Sequence, residues 1–141
     1  MDIKELGSFG ERIACEYLVK KGYKILDKNY RIKFGEIDII AKKRWKLFRK
    51  NDKTIHFIEV KSLLAYSNNG RSSTIRVQEF FPEEKVDWKK QRKLIRLSQI
   101  WLESKKLPAE TPYQIDIIGI SADKGKRMAK LHFFKNVFED N

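Results

Sequence analysis

The chain has 141 residues, and its 31 Lys and Arg against 19 Asp and Glu give a formal net charge of +12. Apolar residues make up 41%, which excludes a disordered chain, and the length suits one domain over residues 1–141. No apolar run could cross a membrane, and residues 1–12 lack an apolar signal core. We therefore expect a cytoplasmic protein with no membrane partner. The charge suits a polyanionic ligand, although it also serves solubility.

Helical and extended patterns succeed one another along the chain. Apolar residues at helical spacing predict a first helix over residues 3–21, ended by Gly22. Five strands are predicted over 23–30, 36–43, 54–61, 113–120 and 130–136. A second helix is predicted over 85–105, between the third and fourth strands. The long connection over 64–84 favours a functional or mobile loop. One sheet with helices packed on its faces is the natural solution for this α-β-β-β-α-β-β order.

Two of the predicted strands carry an acidic residue on an otherwise apolar face. If the strands pair as an antiparallel hairpin with Ile40 opposite Phe57, Asp38 lies opposite Glu59. Like charges in that position destabilise a sheet, so two such acids need a shared proton or a cation. Oxygen ligands alone suit Mg²⁺. The pattern therefore predicts a divalent-cation site between the two carboxylates.

The same register places Glu36 opposite Lys61, where an ordinary ion pair could form. Lys61 also projects from the same side of its strand as Glu59, so its ammonium could hold an attacking water or stabilise charge on a phosphate. Glu11 lies at the edge of the buried stripe of the first helix, where a carboxylate needs a partner. Bonding to the backbone or to a lysine explains Glu11 equally well.

Other chemistry-bearing residues favour structural roles. A helical apolar setting predicts that Cys15 is a small buried residue, and with only His56 and His132 beside it a zinc site lacks ligands. Asp116 lies mid-strand among isoleucines. We favour a structural, hydrogen-bonded acid over a metal ligand here, whereas burial of its carboxylate would favour a role near the site.

Basic residues concentrate in two segments. Residues 42–53 hold seven Lys and Arg with Trp45 and Phe48 between them. Such a segment can contact phosphates and stack on bases, or it can be a hairpin whose aromatic residues cover its own base. The candidate nucleic-acid contacts here are Lys42, Lys43, Arg44 and Lys46. The basic residues of the second helix form either a solvated face or a ridge that follows phosphates.

A wider pattern runs through nearly the whole chain. Its segments are Gly7-x-x-Gly10-Glu11, Gly35-Glu36-Ile37-Asp38, Phe57-x-Glu59-Val60-Lys61, Lys90-Gln91 and Ile115-Asp116-Ile117-Ile118. This pattern resembles the YraN family of bacterial proteins and, more broadly, the PD-(D/E)xK nucleases. That superfamily includes type II restriction enzymes and archaeal Holliday-junction resolvases.

The resemblance implies a restriction-endonuclease-like α/β fold, with a mixed β-sheet flanked by helices. It also implies a set of site residues: Asp38 and Glu59 as ligands of Mg²⁺ or Mn²⁺, Lys61 as the catalytic lysine, Glu11 as an auxiliary acid, and Lys90 or Gln91 near the scissile phosphate. The sequence departs from the pattern where Ser62-Leu63 and Gln114 replace arginines usual in the family, so phosphate contacts through those arginines do not carry over.

The implied reaction is metal-assisted hydrolysis of phosphodiester bonds in DNA, with branched or damaged DNA as the substrates that likeness to the resolvases suggests. A homodimer follows by the same analogy, since cutting two strands needs two sites. The alternative is a non-catalytic nucleic-acid-binding protein that keeps the endonuclease fold. RNA in place of DNA is a third reading, which the 2′-hydroxyl distinguishes.

Overall fold

A computed structural model describes residues 2–47, 51–65, 88–123 and 128–138. The elements occur in the predicted order, which confirms a mixed α/β fold. They are α1 (Ile3–Lys20), β1 (Tyr23–Ile32), β2 (Gly35–Lys43), β3 (Ile55–Ala65), α2 (Trp88–Ser104), β4 (Tyr113–Asp123) and β5 (Met128–Phe134).

Several strand ends differ from the predicted ones because pairing with a neighbour extends the strands. β3 and β4 run side by side as far as the pair Ala65 and Asp123, whereas the patterns ended them at residues 61 and 120. The predicted loop over 64–84 therefore does not begin until after Ala65. Three predicted features lie outside the described residues. They are that loop from residue 66 onward, the start of the predicted second helix at 85–87, and residues 48–50 with Phe48.

The five strands form one mixed sheet in the spatial order β1-β2-β3-β4-β5. All neighbouring strands are antiparallel except β3 and β4, which are parallel. A parallel pair needs a long crossover connection, and the segment between β3 and β4 includes α2. This is the mixed sheet flanked by helices that the family resemblance implies.

Among the described elements, each face of the sheet is covered by one helix. On one face α1 places Ala14 and Leu18 against a fully buried cluster that includes Ile39 and Ile58. On the other face α2 packs its own apolar residues against β2, β3 and β4. The buried members of that cluster are Ile37, Ile40, Ile55, Phe57, Leu97, Trp101 and Ile115.

Local chemistry fixes the ends of α1. Asp2 accepts a hydrogen bond from the Glu5 N–H at 2.7 Å, and the Glu5 carboxylate accepts one from the Asp2 N–H at 3.0 Å, which completes a capping box. After the helix Gly22 adopts a φ of +89°, a left-handed conformation that suits glycine, and the chain turns into β1. Among the described residues neither helix is long and apolar enough to cross a membrane.

We predict opposite effects from adding a methyl group at two glycines of α1. A Cβ at Gly10 would lie 1.8 Å from the Ser62 Oγ and 3.1 Å from its Cβ, so α1 must move away from β3. At Gly7 nothing lies within 4 Å, and alanine gains helix propensity. Gly10→Ala should lower the free energy of unfolding by about 1–3 kcal/mol, and Gly7→Ala should raise it by up to about 1 kcal/mol.

Urea unfolding followed by circular dichroism measures both variants. Equal stabilisation by the two alanines would contradict the close approach of α1 to β3 at Gly10.

Candidate active site

The register of β2 against β3 brings the two predicted carboxylates together. Ile40 pairs with Phe57, as the sequence predicts, and the ladder stops at the next pair, Ile39 with Ile58. Asp38 and Glu59 are the first residues beyond that point. The Asp38 Oδ2 accepts a hydrogen bond from the Val60 N–H at 2.8 Å, so the side chain bridges from β2 to β3.

Asp38 and Glu59 line one cavity of about 190 Å³, the site cavity, which Lys61 of β3 and Leu94 of α2 also line. Glu59 divides its two oxygens between different environments. Its Oε1 lies 3.1 Å from the Nζ of Lys61 and 3.1 Å from the Nζ of Lys90. Its Oε2 is buried and has no hydrogen-bond partner within the part of the chain that the structure describes. An unsatisfied buried carboxylate oxygen is costly, so it marks a position where a ligand would be stabilising.

Burial raises the pKa of Asp38 to about 6, and the hydrogen bond from the Val60 N–H opposes that rise. The neighbouring carboxylates of Glu11, Glu59 and Glu36 raise this pKa further, because each disfavours a second negative charge. Glu11 of α1 lines a crevice that Asp38 also lines, on the α1 side of the sheet. The structure therefore brings the auxiliary acid predicted from the resemblance close to Asp38.

The two lysines that share Glu59 have different electrostatic environments. Burial disfavours the charge of Lys61, but the Glu59 carboxylate and Asp38 outweigh it, so the pKa of Lys61 lies above its ordinary value. Burial lowers the pKa of Lys90, and the neighbouring Lys61 ammonium lowers it further against the attraction of Glu59. Lys61 is therefore a fixed cation at neutral pH, and Lys90 gives up its proton more readily.

The donor set fits a hard divalent cation. Within the described ranges no group of three or more His, Cys, Asp and Glu side chains could hold a metal ion. The candidate ligands here are the two carboxylates of Asp38 and Glu59, which line the same cavity. Mg²⁺ is commonly bound through one or two carboxylates while it keeps several waters. Asp38 and the free Oε2 of Glu59 supply that number of ligands in a cavity that both residues line.

Two expectations from strict strand alternation are wrong. Glu36 binds Arg31, with Oε2 2.7 Å from Nη2, and not Lys61. The β2–β3 ladder ends before it could hold Glu36 opposite Lys61, whereas Arg31 lies directly opposite in β1. Ile37 packs on the α2 face with Ile40 rather than opposite to it. Asn29 of β1 has a φ of +49°, and its strand neighbours Lys28 and Tyr30 pair with Ile39 and Ile37.

The predicted phosphate contacts fall in two places. Lys90 lies on α2 beside Glu59. Lys93 of the same helix comes close to Gly35, since a Cβ at Gly35 would lie 2.7 Å from the Lys93 Cε. A crevice next to the site cavity is lined by Lys89, Lys90 and Lys93 of α2. Gln91 is half-buried on α2 and lines neither this crevice nor the site cavity. The other candidates lie at the far end of β2, where Lys43, Arg44 and Lys46 line a separate basin and Lys42 pairs with Ile55.

Asp116 is a structural acid, as predicted. It is fully buried, and its carboxylate lies 2.6 Å from the His56 Nδ1. It also accepts hydrogen bonds from the Gln114 Nε2 and the Asn136 N–H, each at 2.7 Å. The sequence reasoning missed His56 as its partner. Alternation of side chains on β3 indicated only which face of the sheet His56 occupies.

Comparison with known proteins identifies the family. The family model "Uncharacterised protein family UPF0102" matches residues 10–120. A UPF0102 protein of Caldicellulosiruptor bescii is 33% identical over 98% of this chain and 100% of its own length. One of Caldanaerobacter subterraneus subsp. tengcongensis is 38% identical over 96% and 95% of the two chains, and one of Clostridioides difficile is 40% identical over 85% and 88%. The chain therefore belongs to the UPF0102 (YraN) family, a restriction-endonuclease-like and Holliday-junction-resolvase-like family.

Proposed function

We propose that this protein is a Mg²⁺- or Mn²⁺-dependent nuclease that hydrolyses phosphodiester bonds in DNA. The observation that carries the proposal is the Glu59 Oε2, a buried carboxylate oxygen without a partner among the described residues, in a cavity shared with Asp38. Two lysines already satisfy the charge of Glu59 through the other oxygen. A purely structural ion pair has no need of a second, unbonded oxygen beside another acid.

In this proposal Asp38 and the Oε2 of Glu59 hold the cation, which when bound supplies Lewis-acid stabilisation of the phosphate charge. The oxygen of a water forms a bond to phosphorus and gives up a proton, the bond from phosphorus to one ester oxygen breaks, and that leaving oxygen takes up a proton. Lys61 keeps its ammonium beside Glu59 and stabilises the negative charge that builds up on the phosphate. Lys90 and its neighbour Lys93 line the adjoining crevice, where they contact the DNA backbone.

The finer points of the proposal depend on the family resemblance. Branched or damaged DNA is the proposed substrate class, and a homodimer is the proposed assembly, since a resolvase-like enzyme needs one site for each strand. The net charge of +12 supports a nucleic-acid partner, because neutralised phosphates release counterions. A protein that binds these DNAs without cutting them is the outcome that would favour the non-catalytic alternative.

Removing the charge of Asp38 should stabilise the metal-free protein. The folded-state pKa is raised to about 6 from 3.8, so the folded state binds this proton more tightly than the unfolded state does. The free energy of unfolding of the metal-free wild type therefore falls by at most about 3 kcal/mol as pH rises from about 4 to 6. In EDTA, Asp38→Asn should unfold at a higher temperature than the wild type at about pH 8, and this advantage should shrink toward pH 4.

Divalent cations should reverse that order. At a Mn²⁺ concentration about 100 times its dissociation constant the wild type should gain about 2.7 kcal/mol, and Asp38→Asn should gain much less. The exposed Glu103→Gln is the control, with a cation response like that of the wild type. Equal Mn²⁺ stabilisation of all three proteins would show that the cation binds elsewhere.

Cleavage should depend on the same residues. With Mg²⁺ or Mn²⁺ the wild type should cut linear, nicked or four-way DNA, and Glu59→Gln and Lys61→Met should reduce the rate at least about 100-fold. Gel assays on identically purified proteins, with Glu103→Gln as the matched control and RNA of the same sequence as a second substrate, measure this. Undiminished cutting by Glu59→Gln would indicate a contaminating nuclease and remove the support for the proposed site.

A further inference from the structure

A second concave surface, the basic basin, lies at the end of β2 away from the site cavity. It has a volume of about 860 Å³ and is lined by Lys21 after α1, by Lys43 at the end of β2 and by Lys135 after β5. Asp38 and Lys43 are five residues apart on one strand, which corresponds to about 17 Å. The basin is therefore a separate surface from the site cavity, and three elements distant in sequence build it.

The charge of the basic basin is strongly positive. Among the described residues, five cationic side chains line it, namely Lys21, Lys43, Arg44, Lys46 and Lys135, and Asp52 is the one acidic residue. The Lys43 Nζ lies 4.0 Å from the Asp52 Oδ2, and both side chains are more than two-fifths exposed, so this pair is weak. The concentration of like charge in a concavity favours a ligand with several negative charges.

Aromatic residues accompany these cations. Lys21 lies over the ring of Tyr17 at 5.6 Å and Lys135 over the ring of Phe133 at 5.3 Å, which holds both ammonium groups on the walls of the basin. Trp45 lines the basin while 63% of it remains exposed. An exposed tryptophan among cations is the pairing of groups that binds unpaired bases and their phosphates.

Tyr23 adds an unsatisfied polar group to the lining. It is 2% exposed, and its hydroxyl has no hydrogen-bond partner among the described residues. Burial, together with the nearby carboxylates of Asp116 and Asp52, raises its pKa to about 12. The hydroxyl therefore keeps its proton and remains a donor for an acceptor such as a phosphate oxygen.

We propose that the basic basin binds a single-stranded segment of nucleic acid, with its phosphates on Lys43, Arg44 and Lys135 and a base stacked on Trp45. This inference rests on the proposed function in so far as that function makes nucleic acid the substrate. A single strand fits better than a duplex because only unpaired bases offer a free face to Trp45, and a concavity follows one backbone.

The test is a binding titration that needs no cleavage. Fluorescein-labelled oligodeoxythymidylate is titrated in EDTA with the wild type, with Lys43→Glu/Lys135→Glu and with Trp45→Ala. Both variants should weaken binding about tenfold or more. Loss of two phosphate contacts should also reduce the slope of log affinity against log salt by about 1.4. Trp45→Ala should abolish part of the tryptophan quenching that the oligonucleotide causes.

The matched control is Lys4→Glu/Lys105→Glu, which makes the same change in net charge on exposed residues outside the basin. It should leave affinity within about threefold of the wild type, since neither residue lines the basin and interactions between exposed charges are weakened by salt. If the two double variants weakened binding equally, the effect would depend on net charge alone, and the proposal would be overturned. Equal competition by thymidine monophosphate would assign the basin to a free nucleotide and overturn the strand assignment.

Two assays separate this proposal from the proposed function. The titration in EDTA reports on the basin, and the cleavage assay with Glu59→Gln reports on the site cavity, which shares no lining residue with the basin. If the wild type cuts no DNA but the basin variants still lose binding, the nuclease proposal fails and the basin proposal stands. If cutting requires Glu59 while the basin variants bind normally, the basin proposal fails alone.

Discussion

The alignment of β2 with β3 is the constraint on which the candidate site depends. Pairing Ile40 with Phe57 buries both side chains against α2, and burial of each such side chain is worth about 1.5–3 kcal/mol. A slip of one residue would turn one of the two strands to the wrong face and forfeit that burial. The same slip would remove Asp38 from the Val60 N–H. The apolar core thus determines where the two carboxylates lie.

Glu59 carries a largely buried charge that is compensated at one of its two carboxylate oxygens, among the described residues. Two ammonium groups share its Oε1, so the charge is compensated, although burying such ions costs several kcal/mol before their attraction offsets it. The Oε2 keeps its desolvation cost because no described group donates to it. If the proposed cation binds here, both carboxylates already line one cavity, so little rearrangement would oppose its binding.

Sequence patterns predicted the fold well because the apolar residues of the core recur at helical spacing in the helices and mostly at every second residue in the strands. They also predicted that Ile40 faces Phe57, a register that matches apolar with apolar residues. They failed at Glu36, because the competing partner Arg31 lies on β1 and alternation on two strands contains no information about the third. They failed at Ile37 because it and Ile39 pack in clusters on opposite faces of the sheet, a break in alternation that a period of two does not predict. The β2 lysines were visible as a basic run, whereas the contributions of Lys21, Tyr23 and Lys135 to one basin depend on tertiary packing.

The two ends of β2 are electrostatically almost independent. Their separation of about 17 Å is roughly twice the Debye length of about 8 Å at physiological ionic strength. Cations in the basic basin therefore cannot neutralise Asp38 and Glu59, and filling the basin leaves the affinity of the carboxylates for a divalent ion nearly unchanged. The site cavity, at about 190 Å³, holds an ion and a few waters but not a nucleotide. A polymer bound in the basin would instead present a distant phosphate to the lysines beside Glu59, and the rigid strand between the two ends would raise its effective concentration there.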